Sequence, residues 1–178
     1  LEILQDGRPD RDGFAVSLMI TRILLAFVLV LLVATAGFVA WAWYPTLAAS
    51  EPPRPQSFDK AAIARGATLA ALGACETCHT RAGGKPYAGG RPLPTPFGTI
   101  YTTNITPDPA TGIGGWSPEA FGRALHDGVD RQGRHLYPAF PFDHFTKMDE
   151  ADVAALYAFF MTRAPVIATP PDNDLIFP

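Results

Sequence analysis

The feature that most constrains this 178-residue chain is the run Cys75-Glu76-Thr77-Cys78-His79. On a helical turn Cys75 and Cys78 are three apart and share a face, and His79 follows one turn after Cys75. Two thiols at that spacing reach two vinyl groups on one edge of a porphyrin, and the imidazole then points at the iron from the same side of the ring. C-x-x-C-H is the signature of c-type haem attachment. Three other readings compete for these residues. A thioredoxin-like C-x-x-C needs a βαβ pattern around it, whereas the flanks here are Gly/Pro-rich loops and short helices. A zinc site needs two further ligands in a compact second pair, and there is no third cysteine. A plain disulfide leaves His79 unexplained. One covalently attached haem c accounts for all three residues.

Composition narrows the rest. Eighteen Pro and 16 Gly are many for this length, and they crowd between Gly83 and Pro118. Such a stretch cannot build a dense helical core alone and needs something to wrap around. Charge is nearly balanced, with 14 Lys and Arg against 17 Asp and Glu and no basic run. Nucleic-acid binding therefore has no electrostatic support.

Residues 23–44 carry no charge and, at about 1.5 Å per residue, cover a hydrocarbon layer of ~30 Å. Trp41, Trp43 and Tyr44 close the segment as an interfacial aromatic group. Arg22 abuts its start, and the nearest base beyond it is Arg54. That asymmetry places the N-terminus in the cytoplasm and the chain after about residue 45 outside. A cleaved signal peptide is the alternative, with Ala48-Ala49-Ser50 as small residues, but its apolar region would be shorter, about 7–15 residues. The expected organisation is an unassigned leader at 1–18, an anchor at 19–45, a Pro-rich linker at 46–57, a haem domain at 58–166 and a tail or onward linker at 167–178. The linker (Pro52, Pro53, Pro55) reads as a stiff tether lifting the domain off the membrane.

Three helices are expected around the motif. The first starts at Asp59 as N-cap and ends at Gly73, and Gly66 inside it implies close approach of the last helix. The second starts at Ser117-Pro118-Glu119 and stops at Gly128, with Phe121, Ala124 and Leu125 as its buried stripe. The last spans about 150–162 and should lay Tyr157 and Phe160 across Gly66. Between them, residues 85–109 show no regular period. Loops this long are usually functional, and Tyr87, Arg91, Tyr101, Thr102 and Asn104 are candidate donors to the haem and its propionates. Trp116 reads equally as a core residue or as a haem contact.

An iron held by His79 needs a sixth ligand, and Met148, Met161, His126, His135 and His144 are the candidates. Met148 sits in a loop directly before Asp149, so its thioether is free to reach inward. Met161 continues the apolar set Val153, Leu156, Tyr157 and Phe160 and reads as packing. His126 stands where it can bond a terminal carbonyl of its own helix, and His135 and His144 read as loop hydrogen bonders.

The motifs PTPFGTIYTTNITPD, GIGGWS, YPAFP and FTKM, all between Pro94 and Met148, carry a likeness that covers about residues 64–178 and extends beyond the haem turn. From that turn onward the chain resembles a c-type cytochrome. It is similar to the cytochrome c subunits of membrane-bound periplasmic dehydrogenases, including those for alcohols, aldehydes, gluconate and N-heterocycles such as nicotinate or isoquinoline. The resemblance implies an all-α, cytochrome c-like domain of short helices and long loops behind one N-terminal transmembrane helix. It implies that the T-K-M methionine, here Met148, is the distal iron ligand opposite His79. It further implies an electron-transfer subunit without substrate chemistry of its own. Its partners would be a dehydrogenase as donor and a quinone oxidase or another cytochrome as acceptor. Many members carry three haem domains, and this chain has one C-x-x-C-H, so a one-haem protein and a first domain of a longer one are both open. A ligand-binding or sensory haem with an open sixth site is the alternative function.

Overall fold

The computed structural model describes residues 11–176, and the chain divides into two units between Trp43 and Tyr44. The first unit is the helix α1, Arg11–Ala42. Within it Phe14–Ala42 is long and apolar enough to cross a membrane, with a mean hydropathy of 2.9 over its best window. The helix thus begins well before Ile23, inside the stretch expected as an unassigned leader. The first ten residues of that leader lie outside the described residues.

The second unit is built on three helices that meet in one core. Helix α2, Lys60–Leu72, is capped by Asp59, whose carboxylate accepts from the Ala62 amide at 3.2 Å. After the short α3, Cys75–His79, helix α4, Pro118–His126, is capped in the same way by Ser117 Oγ and the Ala120 amide at 3.1 Å. Helix α5, Glu150–Met161, stops ahead of Pro165. Each side-chain cap satisfies one amide that the helix leaves unpaired. Asp59→Ala and Ser117→Ala should each lower stability by about 1 kcal/mol, read as a shifted denaturation midpoint.

After an acidic first turn, helix α5 is apolar, and Val153 and every residue from Ala155 to Met161 are buried. Helices α2 and α4 both pack against it, while Ala151 and Ala154 in its first turns stay exposed. Phe121, Leu125, Leu156, Tyr157, Phe159 and Phe160 form the aromatic-rich centre, and the Tyr157 hydroxyl donates to the Trp116 carbonyl at 2.8 Å. The contact at Gly66 is as close as expected, because a Cβ there would fall 2.0 Å from the Ala155 carbonyl oxygen and 2.7 Å from Phe159 Cβ. The face of α5 involved is Ala155 and Phe159, not Tyr157 and Phe160. Arg65 and Asp152 add an ion pair between the same two helices.

The domain is not all-α. Strands β1, Pro92–Thr95, β2, Gly98–Tyr101, and β3, Asp174–Leu175, form an antiparallel sheet in the order β1-β2-β3. Pro92 and Pro94 disguise β1 in the sequence, yet β1 is an edge strand, where an amide facing solvent is not required. A tight turn closes the hairpin, with Thr95 Oγ1 donating to the Gly98 carbonyl at 2.8 Å and accepting from the Phe97 amide at 3.1 Å. The chain after α5 folds back to supply β3. Asn104, 2% exposed, donates to the Val166 carbonyl at 2.7 Å, and the Tyr101 amide donates to Asn173 Oδ1 at 2.8 Å.

The start of the Pro-rich linker is strapped to the domain instead of standing away from it. The Leu47 amide donates to the Arg131 carbonyl at 2.9 Å and the Ser50 amide to the Gly115 carbonyl at 3.0 Å. Arg123 and Arg131 reach back to the carbonyls of Pro45 and Leu47.

Candidate haem-attachment site

The turn α3 is delivered by a reversal at the end of α2. The Gly73 amide still bonds the Leu69 carbonyl at 2.8 Å, and its φ is an ordinary −76°. The left-handed step falls on the next residue, Ala74, at φ 52°, a conformation costing a non-glycine residue about 1 kcal/mol. From that reversal Cys75 and Cys78 emerge as free thiols on one short helix, with His79 at its end. Cys75 packs against the domain core, and burial pushes its thiol up to about 11, whereas Cys78 is exposed.

His79 Nδ1 lies 2.7 Å from the carbonyl oxygen of Thr103. A carbonyl only accepts, so Nδ1 carries the proton and Nε2 is left as the basic, metal-binding nitrogen. Burial lowers the imidazole's pKa, with the Thr103 carbonyl opposing, which favours the neutral ring that a metal binds. The contact depends on a glycine. Gly89, at φ 72°, donates its amide to the His79 carbonyl at 2.7 Å, and a Cβ there would meet the Thr102–Thr103 backbone at 2.5–2.6 Å. Only a residue without a side chain lets the 102–104 segment pass so close to the imidazole.

Met148 ends the turn that leads into α5. It is half-buried and packs against the same hydrophobic cluster as Cys75. The turn also touches the α2–α3 junction, since a Cβ on Gly73 would lie 3.5 Å from both Cys75 Sγ and Phe145 Cε1. The other sixth-ligand candidates are placed differently. Met161 is 2% exposed in the core, and His144 stands on the surface beside Asp143. His135 packs edge-on to Tyr44. His126 does not bond its own helix: its Nε2 lies 3.1 Å from the Met148 carbonyl.

The candidate propionate donors have protein contacts of their own. Asn104 ties down the chain after α5, Thr102 Oγ1 accepts from the Arg91 amide, and the Arg91 guanidinium donates to the Thr77 carbonyl at 2.7 Å. Tyr87, at φ 62°, is wedged edge-on against Phe159 and Phe160. Trp116 is half-buried against the core. The Thr103 carbonyl and the His126–Met148 bond carry no sequence signature, the first because it is backbone and the second because it joins distant elements.

The residues present fit a covalently held haem. Two free thiols share one turn with an imidazole whose second nitrogen is already committed, and a methionine in the turn before α5 packs against the same hydrophobic cluster as Cys75. Among the described residues no group of three or more His, Cys, Asp or Glu gathers to hold a metal ion, as the zinc reading would need.

Comparison with known proteins places the sequence among its relatives. The cytochrome c family profile matches residues 63–164. The chain is 50% identical over 147 residues to a subunit of the nicotinate dehydrogenase of Pseudomonas putida, covering 82% of the chain and 12% of that protein. It is 47% identical to the gluconate 2-dehydrogenase cytochrome c subunit of Pantoea cypripedii, covering 66% of the chain and 27% of the relative. Against the cytochrome c subunit of the quinone alcohol dehydrogenase of Gluconobacter oxydans it is 48% identical, covering 64% and 24%. The matches thus span about a quarter or less of these relatives' lengths. With most of its second unit inside the matched segment, the chain belongs to the cytochrome c family.

Proposed function

We propose that this chain is a membrane-anchored, periplasmic cytochrome c domain that carries electrons from a dehydrogenase toward the respiratory chain. Cys75 and Cys78 would hold one haem c by thioether bonds, with His79 and Met148 as its axial ligands. When bound, haem supplies a one-electron iron couple. The observation that carries the reading is the 2.7 Å contact between His79 Nδ1 and the Thr103 carbonyl, which fixes tautomer and ring orientation and raises the basicity of Nε2.

The chain's own residues supply placement and polarity. Cys75 sits against the apolar core, and Cys78 on the exposed side of α3 leaves one edge of the site near solvent for a partner. Met148, a soft and weakly basic ligand, favours the reduced state and raises the potential relative to a second histidine. After Arg22, α1 continues for about 20 residues to Ala42, close to the ~30 Å of a hydrocarbon layer, which supports an anchor. The relatives named above are dehydrogenase subunits, and a partner of that class is proposed on their likeness.

An electron carrier keeps its sixth site closed, and a sensory haem keeps it open. Carbon monoxide added to the reduced holoprotein should therefore leave the wild-type spectrum unchanged over minutes and shift that of Met148→Ala fully. A wild-type protein that takes up the gas as readily as the variant would contradict the proposal.

A further inference from the structure

The turn bearing Met148 is fastened in two different ways. Its amide donates to the Phe145 carbonyl at 2.9 Å, a bond inside the turn itself. Its carbonyl meets His126 Nε2 at 3.1 Å, a bond that comes from the last turn of α4, 22 positions away. The carbonyl only accepts, so Nε2 is the donor. Helix α4 is a rigid mount for that donor: Ser117 caps it, and Ala120, Phe121, Ala124 and Leu125 are buried. On the other side of the ring, Nδ1 lies 4.0 Å from the exposed Glu150 carboxylate at the start of α5. The imidazole therefore stands where α4, the Met148 turn and α5 converge. With both peptide planes flanking Met148 held, only the side-chain torsions remain to aim its sulfur.

We infer that His126 is the positioning residue for the Met148 thioether, its Nε2–H holding the turn closed so that the sulfur stays directed into the haem site. The inference rests on the reading of Met148 as sixth ligand. A histidine that merely filled space at this junction would be replaceable by any side chain of similar bulk. A histidine that holds the turn through its donor is replaceable only by a side chain that places an N–H at the same distance. Glutamine does so, because its amide nitrogen can reach the position of Nε2. Asparagine is one bond short.

An added ligand must displace Met148, so its apparent affinity follows the fraction of molecules in which the turn is open. Losing one hydrogen bond of ordinary net strength raises that fraction about fivefold. The test is a spectrophotometric titration of the ferric holoprotein with imidazole, together with its reduction potential. The set is wild type, His126→Leu, His126→Gln, His126→Asn and Met148→Ala. His126→Leu should bind imidazole about fivefold more tightly than wild type and show a lowered potential. His126→Gln should return to within about twofold, and Met148→Ala should bind most tightly of all. If His126→Leu fails to mature, His126→Asn takes its place as the variant lacking the bond.

Imidazole affinity unchanged in both His126→Leu and His126→Asn, with Met148→Ala still much tighter, would overturn the positioning role alone. A glutamine variant as loose as the leucine variant would also overturn it, because the donor would then not be what matters. Met148→Ala indistinguishable from wild type would remove Met148 as ligand, and the inference with it.

Discussion

Replacing Cys75 and Cys78 together by serine should leave any bound haem fully extractable into acidified acetone, whereas the wild-type protein should keep all of its pigment. In the double variant only His79 and Met148 could hold the group. The imidazole must be neutral to bind a metal, and acid protonates it. Thioether bonds are indifferent to acid, so the difference is all or none instead of a matter of degree. Either single variant retains one thioether and should still resist extraction. The environments of the two thiols differ, Cys75 packed against the core and Cys78 exposed, but the covalent argument is the same for both. Haem staining after denaturing electrophoresis reads the result directly, and a stained band from the double variant would contradict it.

The second large effect concerns the junction of α2 and α5. Gly66→Ala should lower the stability of the domain by about 2 kcal/mol or more. Alanine gains about 1 kcal/mol of helix propensity over glycine. Against that, its Cβ would sit 2.0 Å from the Ala155 carbonyl oxygen and 2.6 Å from the carbonyl carbon, atoms of a helix backbone that cannot rotate away. The two helices would have to separate, and overpacking of this kind costs ~3 kcal/mol or more. For a domain of this size the melting temperature should fall by about 10 °C. The same change one helix away has the opposite sign. A Cβ on Gly122 of α4 meets only Val153 Cγ1, at 3.6 Å, an ordinary van der Waals contact. Gly122→Ala should therefore stabilise by about 0.5–1 kcal/mol through propensity alone. Thermal melts of the two variants side by side separate close approach from a general intolerance of alanine.

These two glycines also mark how far local rules carry. What depends on a few neighbouring residues was legible. The caps at Asp59 and Ser117 are such features, as is the glycine at 66 that demands a close neighbour. What depends on the phase of a helix or the pairing of distant segments was not. A stripe reading of α5 selected Tyr157 and Phe160 to face Gly66, but from Ala155 onward the helix is buried on every side and has no single stripe, and the close contact is made by Ala155 and Phe159. Prolines at 92 and 94 hid an edge strand that pairs with β2, and β2 takes its other partner from a segment more than seventy residues later. At the haem turn, Gly73 was the natural place for a left-handed step, and Ala74 takes it instead.

The site follows the same division. The attachment motif and the candidate axial imidazole come from side-chain identity and short spacing, and the candidate thioether from the resemblance of its F-T-K-M motif. The groups that orient them do not. The Thr103 carbonyl that directs His79 is backbone, and any residue at 103 would offer it. His126 reaches Met148 only because α4 ends beside the start of α5. The linker tells a similar story: its prolines read as a stiff spacer, yet Leu47 and Ser50 bond to loops near Arg131 and Gly115 that no local pattern connects to them.

The central claim is that Cys75 and Cys78 are covalently joined to one haem. Trypsin cuts after Arg65 and Arg81, and the mass of the peptide between them, which contains both cysteines and His79, tests the claim most directly. From protein matured in a host with a cytochrome c assembly system, that peptide should carry the added mass of one haem and no free thiol. The same peptide recovered at its bare mass, or two hydrogens lighter as a Cys75–Cys78 disulfide, would contradict the account.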